Sequence, residues 1–377
     1  MPPAVIELSS ARDRRDVVHR AVQALAEGQV VAFPTETVYG LAASALNESA
    51  VLRLIDVKQR KAGHALTLAI KSADDALDYV PGMDALGQRL ARRCWPGPVT
   101  LVLEDRHPES LVQQLPKAVQ ELVVPKTTIG LRVPAHPLIL DVLRLMPGPL
   151  VLSSANVSGE PDAVTAADVV KSSLSDRIGL VLDDGISQFA QPSSVVLVDK
   201  SGMKVLRAGV VTEATLRRLA SMLILFVCTG NTCRSPMAEI LCRKLIAEKL
   251  GCKIDELDDR GVMVMSAGIA AMAGGGPTPE AVQVVAEKGL DLSGHVSQPL
   301  SDRLVQHADL IFTMTRGHRE AIVGHWPVAA ARTFVLCGDQ EDVADPIGGP
   351  RELYKRCSEQ IELAIKRRLA EIDLPKS

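Results

Sequence analysis

A cysteine and an arginine separated by five residues, Cys228-Thr229-Gly230-Asn231-Thr232-Cys233-Arg234, are followed directly by Ser235 and Pro236. The string lies between an apolar run, Leu223–Val227, and a segment of helical period from Ser235 to about Leu250. A strand-loop-helix turn of this kind aims several backbone N–H groups at one point, and the helix N-terminus adds positive potential there. The loop Thr229 to Cys233 therefore suits a phosphate dianion, and Cys228, at its base, is the expected nucleophile. Arg234 supplies a bidentate fork for phosphoryl oxygens as charge develops. Ser235 can donate a hydrogen bond to the sulfur, which makes it a better leaving group in a second step. Pro236 fits the first helical turn, and Met237, Ile240, Leu241 and Leu245 form the buried stripe that anchors the loop.

A second set of polar residues recurs at the ends of apolar runs in the first part of the chain. Pro34-Thr35-Glu36-Thr37-Val38-Tyr39-Gly40 follows Val30–Phe33, and Lys58 and Arg60 follow a helical run from Glu48 to Val57. Trp95–Pro98 precedes Val99–Leu103, Arg132 ends another run, and Ser154 and Asn156 follow Leu150–Leu152. In an open α/β sheet such strand ends form the ligand crevice. Lys58, Arg60 and Arg132, with small hydroxyl donors and no Cys-His cluster, suit a polyphosphate better than a zinc ion. No Walker-type glycine loop occurs, so the residues alone reach only an anion-binding cleft.

The elements that must position these groups alternate between strand and helix. Asp13–Glu27 places Val17, Val18, Ala21, Val22 and Leu25 on one face and stops at Gly28, and strand-like runs at Leu66–Ile70 and Val195–Val198 continue the pattern. The alternation implies an open α/β sheet. Its last strand is expected at Lys204–Arg207, before a helix-like run, Glu213–Ala220, and the pattern restarts at Met222. We therefore expect two domains, 1–212 and 222–377, joined by a short linker, 213–221, in line with a length of 377 residues.

Composition narrows the class. At 47% hydrophobic and 23% charged the chain is globular. With five Phe, two Trp and three Tyr, its core must be built from Ala, Val, Leu and Ile. A formal net charge of -3 gives no electrostatic reason for nonspecific nucleic-acid binding. No export signal or membrane span is visible, so the cytoplasm is the default. Seven cysteines, of which only Cys94 precedes residue 221, argue against a disulfide framework.

At the Cys228–Pro236 string the sequence resembles the low-molecular-weight protein phosphatases. The similarity runs from Leu223 to about Ala370, with further matches at Ser266-Ala267-Gly268, Pro279, His295-Val296-Ser297, Ala308-Asp309-Leu310 and Asp345-Pro346. The resemblance implies a Rossmann-like parallel sheet flanked by helices, a phosphorylated protein as substrate, a phosphocysteine intermediate, and Asp345 as the general acid that later activates water. Tyrosine-specific members usually carry a bulky aliphatic residue where Thr232 stands, and aromatic residues after the Asp-Pro pair. Here the segment reads Asp345-Pro346-Ile347-Gly348-Gly349, a pattern similar to the bacterial protein-arginine phosphatases, in which the threonine helps accommodate a guanidinium. Ile347 departs from that subgroup too, and phosphoarginine and phosphotyrosine both stay open. Cys233 either forms a reversible disulfide that shields the nucleophile or is a buried cysteine without a role.

Pro34–Gly40, the Lys-x-Arg at Lys58 and Arg60, Trp95–Pro98 and Ser154-Ala155-Asn156 resemble the YrdC-type threonylcarbamoyl-AMP synthases, over about residues 8 to 210. This likeness implies an open twisted α/β sheet and an enzyme that turns threonine, bicarbonate and ATP into threonylcarbamoyl-AMP and pyrophosphate, handing its product to tRNA-modification proteins. Lys58, Arg60 and Arg132 would neutralise the triphosphate, aided by Mg²⁺ held by phosphate oxygens and water rather than by a protein metal site. Thr35, Thr37 and Tyr39 would line the amino-acid pocket, Ser154 and Asn156 would hold nucleotide or carboxylate oxygens, and Arg207 would lie near the phosphates. Departures fall at His64-Ala65-Leu66, at Asp183-Asp184-Gly185, and in residues 105–127, expected as a surface loop near the cleft. A competing reading, an RNA-binding module joined to a tyrosine phosphatase, calls for exposed aromatics that so few Tyr and Trp cannot supply.

Overall fold

A computed structural model describes residues 3–58, 65–105, 107–157, 159–338 and 341–375. The chain divides into two compact units, Met1–Leu219 and Ala220–Ser377.

Among the described residues the first unit contains ten strands: β1 (Ala4–Glu7), β2 (Val31–Phe33), β3 (Gly40–Ser44), β4 (Thr67–Ala69), β5 (Val99–Glu104), β6 (Thr128–Arg132), β7 (Leu150–Ser154), β8 (Leu180–Asp183), β9 (Ser194–Asp199) and β10 (Gly202–Arg207). They form one open sheet in the order β1-β8-β2-β3-β7-β4-β6-β5-β9-β10. The sheet is mixed. Strands β1, β8 and β2 run parallel, as do β4 with β6 and β5 with β9, whereas β3 is antiparallel to both β2 and β7.

Strand β3 escapes the strand-helix alternation because it follows β2 without an intervening helix. Its sequence, Gly-Leu-Ala-Ala-Ser, is poor in the β-branched and aromatic residues that mark strands, although every residue is buried. The helix Arg14–Ala26 starts where the Asp13 side chain accepts from Arg15 N, and the chain leaves it through Gly28 at φ 80°. Its buried Val17, Ala21 and Leu25 pack with Leu138, Ile139 and Val142, from the helix Pro137–Leu145, over β2, β3, β7 and β8.

Within the stretch 105–127, residues 107–127 are not the surface loop the sequence suggested. They carry a 3₁₀ turn, Leu111–Gln114, and a helix, Lys117–Val123, that bury Val112, Val119 and Val123. The stretch expected as a linker holds a helix, Glu213–Ala220, whose Leu216 is fully buried.

Among the described residues the second unit has four parallel strands, β11 (Met222–Cys228), β12 (Val262–Gly268), β13 (Leu310–Thr313) and β14 (Thr333–Val335), in the order β12-β11-β13-β14. Strand β11 is apolar throughout because helices cover both of its faces. Ile224 and Phe226 pack with Leu241 of the helix Arg234–Leu250 and with Ile361 and Ile365 of the helix Arg351–Ala370. Leu223, Leu225 and Val227 point the other way, among Val305, Ile311 and Ile322. Cys228 is thereby placed at the carboxyl end of a central parallel strand, where α/β sheets hold ligands.

Candidate active sites

The loop after β11 folds back over the Cys228 sulfur. Asn231 N–H donates to Cys228 Sγ at 3.2 Å, and Ser235 Oγ lies 3.0 Å from the same atom. Asn231 takes a left-handed backbone, φ 55°, a conformation an asparagine tolerates better than most residues. Its fully buried side chain braces the loop: Nδ2 donates to Ser235 Oγ (3.0 Å) and Ser266 Oγ (2.8 Å), while Oδ1 accepts from Gln298 N–H (2.9 Å). Ser266 in turn donates to Glu239 Oε2, whose carboxyl is pushed up by burial. Gly268, at the end of β12, lets the loop come this close, since a Cβ there would sit 2.5 Å from Thr229 O.

Arg234 begins the helix, is buried, and donates to Asp345 Oδ2 and, at 3.3 Å, to Val343 O. Cys228, Ser235, Arg234 and Asp345 are thus gathered within one site, with Thr229, Gly230 and Thr232 along its partly open rim. Thr232 O accepts from Thr278 N–H, and its hydroxyl is 3.5 Å from Cys233 Sγ. Cys233 is buried and free, with Thr278 Oγ1 and Tyr354 OH at 3.5 and 3.8 Å from its sulfur. Ile347, in the loop after Asp345, is 64% exposed.

Sequence reasoning missed His318. It lies at the third position of the helix Arg316–His325, is buried, and places Nε2 2.9 Å from Thr229 Oγ1, leaving Nδ1 without a partner. Burial, reinforced by the Arg234 guanidinium, holds its pKa below the ordinary value. Nothing in the string Thr315-Arg316-Gly317-His318 signals this contact, because it joins residues 89 apart.

In the first unit a cavity of about 1110 Å³ opens over the sheet and is lined by Thr35, Thr37, Tyr39, Lys58, Arg132, Ser154, Asn156 and Arg207. Arg60 lies outside the described residues. Thr128, Gly130 and Arg132 share one face of β6, and Thr100 and Val102 share one face of β5, so small side chains floor the cavity beside a cation.

The cations are held by the protein itself. Lys58, at the end of the helix Glu48–Lys58, donates to Ser154 O (2.7 Å), Asn156 Oδ1 (3.0 Å), Ser154 Oγ (3.3 Å) and Asn156 O. Arg132 Nη2 donates to Glu36 Oε1 (2.7 Å) and Thr37 Oγ1 (2.9 Å), and its Nε to Gly97 O (3.3 Å). Glu36, which sequence reasoning left without a role, is buried and also accepts from Ala135 N–H at 3.0 Å. Arg207 grips Ser193 through its carbonyl and hydroxyl, with burial lowering its pKa.

Thr35 and Thr37 hydroxyls lie 2.9 Å apart, and Thr35 Oγ1 donates to Val38 O. Tyr39 turns its hydroxyl to the Asp183–Gly185 turn, donating to Gly185 O at 2.7 Å. Its ring borders the cavity while its hydroxyl supports that turn.

An open mixed sheet with a cation-lined cavity and a parallel sheet with a thiol under an amide loop define two phosphate-handling α/β units. Residues 23–209 match the Sua5, YciO and YrdC family model, described as telomere recombination, and residues 223–376 match that of low molecular weight phosphotyrosine protein phosphatases. The chain therefore belongs to both families, the Sua5/YciO/YrdC family through its first part and the low-molecular-weight phosphatase family through its second.

A protein-arginine-phosphatase of Bacillus subtilis is 41% identical over 143 residues, which is 37% of this chain and 89% of that protein. A threonylcarbamoyl-AMP synthase of Chromohalobacter salexigens is 34% identical over 184 residues, 49% of this chain and 94% of that protein. A crystallised variant of Pyrococcus abyssi Sua5 aligns with a TM-score of 0.51 and 25% identity over 71% of this chain and 92% of its own. Among the described residues no helix is long and apolar enough to cross a membrane.

Proposed function

We propose that the chain is a bifunctional enzyme, a threonylcarbamoyl-AMP synthase followed by a cysteine-dependent protein phosphatase. The observation that carries the first assignment is the convergence of Lys58, Arg132, Ser154, Asn156 and Arg207 on one cavity beside the Thr35 and Thr37 hydroxyls. In that reading threonine and bicarbonate form N-carboxythreonine, whose carboxylate oxygen attacks the α-phosphorus of ATP as the bond to pyrophosphate breaks. Lys58, Arg60, Arg132 and Arg207 offset the negative charge of the triphosphate and of the leaving group. Ser154 and Asn156 hold nucleotide or carboxylate oxygens, and Thr35, Thr37 and the Tyr39 ring bound the amino-acid pocket.

Catalysis comes from positioning and electrostatics, with no covalent step on the protein. Magnesium would arrive on the oxygens of ATP itself, held by phosphate oxygens and water. Pyrophosphate release from ATP should require both threonine and bicarbonate. Release in the absence of threonine would refute the assignment.

For the second unit the geometry around Cys228 carries the reading. The thiolate attacks phosphorus, Asp345 protonates the departing group, and the Arg234 fork and the loop amides hold the phosphoryl oxygens. Water activated by Asp345 then opens the phosphocysteine, with Ser235 and Asn231 N–H stabilising the departing sulfur. Thr232 and the open rim at Ile347 favour phosphoarginine over phosphotyrosine, and comparing turnover of the two phosphoamino acids in peptides tests that preference. All seven cysteines are free, which suits a reducing cytoplasm. We also propose that the threonylcarbamoyl-AMP passes to tRNA-modification proteins.

A further inference from the structure

Four cations line the cavity of the first unit among the described residues: Lys58, Lys126, Arg132 and Arg207. Three are engaged by the protein. Arg132 is neutralised by Glu36, Lys58 donates to neutral oxygens of Ser154 and Asn156, and Arg207 is bound to the carbonyl and hydroxyl of Ser193, with burial lowering its pKa against the opposing charge of Asp162. Lys126 is exposed and makes no hydrogen bond or ion pair with any described residue.

Its place in the fold is set by β6. Thr128 opens that strand opposite Glu104, and Arg132 closes it opposite Ala69, with Thr128, Gly130 and Arg132 on one face. Four residues of strand rise by about 13 Å. Lys126 and Arg132 therefore mark opposite ends of the cavity floor, and Gly130 adds no side chain of its own between them, where only the small Thr67 and Thr100 side chains come near. An ammonium on a long flexible stem, at the end of such a floor and unspent on protein, is a point charge ready for a phosphate.

We propose that Lys126 binds the terminal phosphates of the nucleotide, the pair that leaves as pyrophosphate, while Lys58, Ser154 and Asn156 face the α-phosphate. The proposal rests on the synthase reading and assigns the direction in which ATP lies along β6.

In the full chain, Lys126→Met should raise KM for ATP and the inhibition constant of pyrophosphate by about tenfold, the worth of one charge-assisted hydrogen bond. KM for threonine and inhibition by AMP, which lacks the terminal phosphates, should stay unchanged, and Lys126→Arg should recover most of the loss. Unchanged ATP and pyrophosphate constants would overturn the proposal. So would an equal weakening of AMP, since the lysine would then serve the nucleoside end. Calorimetric titration of pyrophosphate into the unsubstituted chain and Lys126→Met reads the same contact without turnover. A chain that binds pyrophosphate through Lys126 yet releases none from ATP counts against the synthase reading alone.

Discussion

Arg234 is ion-paired with Asp345, Nη2 to Oδ2, at 2.5 Å, with the arginine side chain 6% exposed and the carboxylate 44% exposed. The group expected to hold phosphoryl oxygens thus holds the expected general acid, one helix position before Ser235, whose hydroxyl lies 3.0 Å from Cys228 Sγ. An incoming phosphoryl group must share the guanidinium with Asp345 or displace it. A planar fork can serve two acceptors at once and an ammonium cannot hold the same geometry. Arg234→Lys is therefore expected to lower kcat on an aryl phosphate by about 100-fold or more, measured by steady-state release of the phenol.

Removing the nucleophile and the acid should have different signatures. Cys228→Ser is expected to abolish turnover. Asp345→Asn should retain phosphocysteine formation with activated leaving groups and lose about 10²- to 10⁴-fold in kcat on poor ones. Trapping phosphoenzyme by mass spectrometry separates the two, and unchanged hydrolysis in Cys228→Ser would remove the covalent mechanism.

Thr232 sits on the partly open rim of the phosphate loop with its hydroxyl on the Cys233 side. Replacing it by Ile removes a polar contact and narrows the mouth. Thr232→Ile is expected to shift the ratio of kcat/KM from phosphoarginine toward phosphotyrosine peptides, and an unaltered ratio would leave Thr232 without a part in selection.

Glu36 and Arg132 form a buried pair at 2.7 Å with side chains 4% and 8% exposed. Deleting one member strands the other charge in a region of low dielectric. Glu36→Ala should destabilise the first unit by about 3–5 kcal/mol, read by denaturant unfolding of the full chain. Glu36→Gln, which keeps acceptor and shape, should lose less stability while still weakening threonine-dependent pyrophosphate release.

His318 predicts a pH effect. Burial and Arg234 lower its pKa from the ordinary 6.5, while Asp345 and Asp342 oppose them. The unfolded chain then binds this proton more tightly than the native one, so acid favours unfolding. The His318 contribution to stability is complete above about pH 6.5 and is lost as pH falls through the lowered native value. His318→Gln should flatten the fall in Tm between neutral and mildly acid pH. His136, also lowered by burial, leaves a residual slope.

Much of the second site could be read from the chain because its parts are contiguous. The apolar β11, the loop and the helix start lie within Met222–Leu250, and a strand-loop-helix turn is a local property of those residues. The first site is dispersed, and its candidate cations were legible only as types. That Arg132 would meet Glu36, 96 residues away, or that Lys58 would close on Asn156, 98 residues away, is written in no local pattern. Strand β3 was hidden for the same reason. An Ala-rich run becomes a strand only when β2 and β7 are there to pair with it.

Local sequence marked two α/β units, a restart of the pattern at Met222 and Cys228 as the candidate nucleophile, because turn geometry and amphipathic period act over a few residues. Tertiary structure alone decided which charges are spent within the protein and which remain for a ligand. Desolvation makes every buried cation find an acceptor, and the acceptor it finds depends on the order in which ten strands assemble. Arg132 was thereby assigned to Glu36, Arg234 to Asp345 across 111 residues, and Lys126 was left facing the cavity.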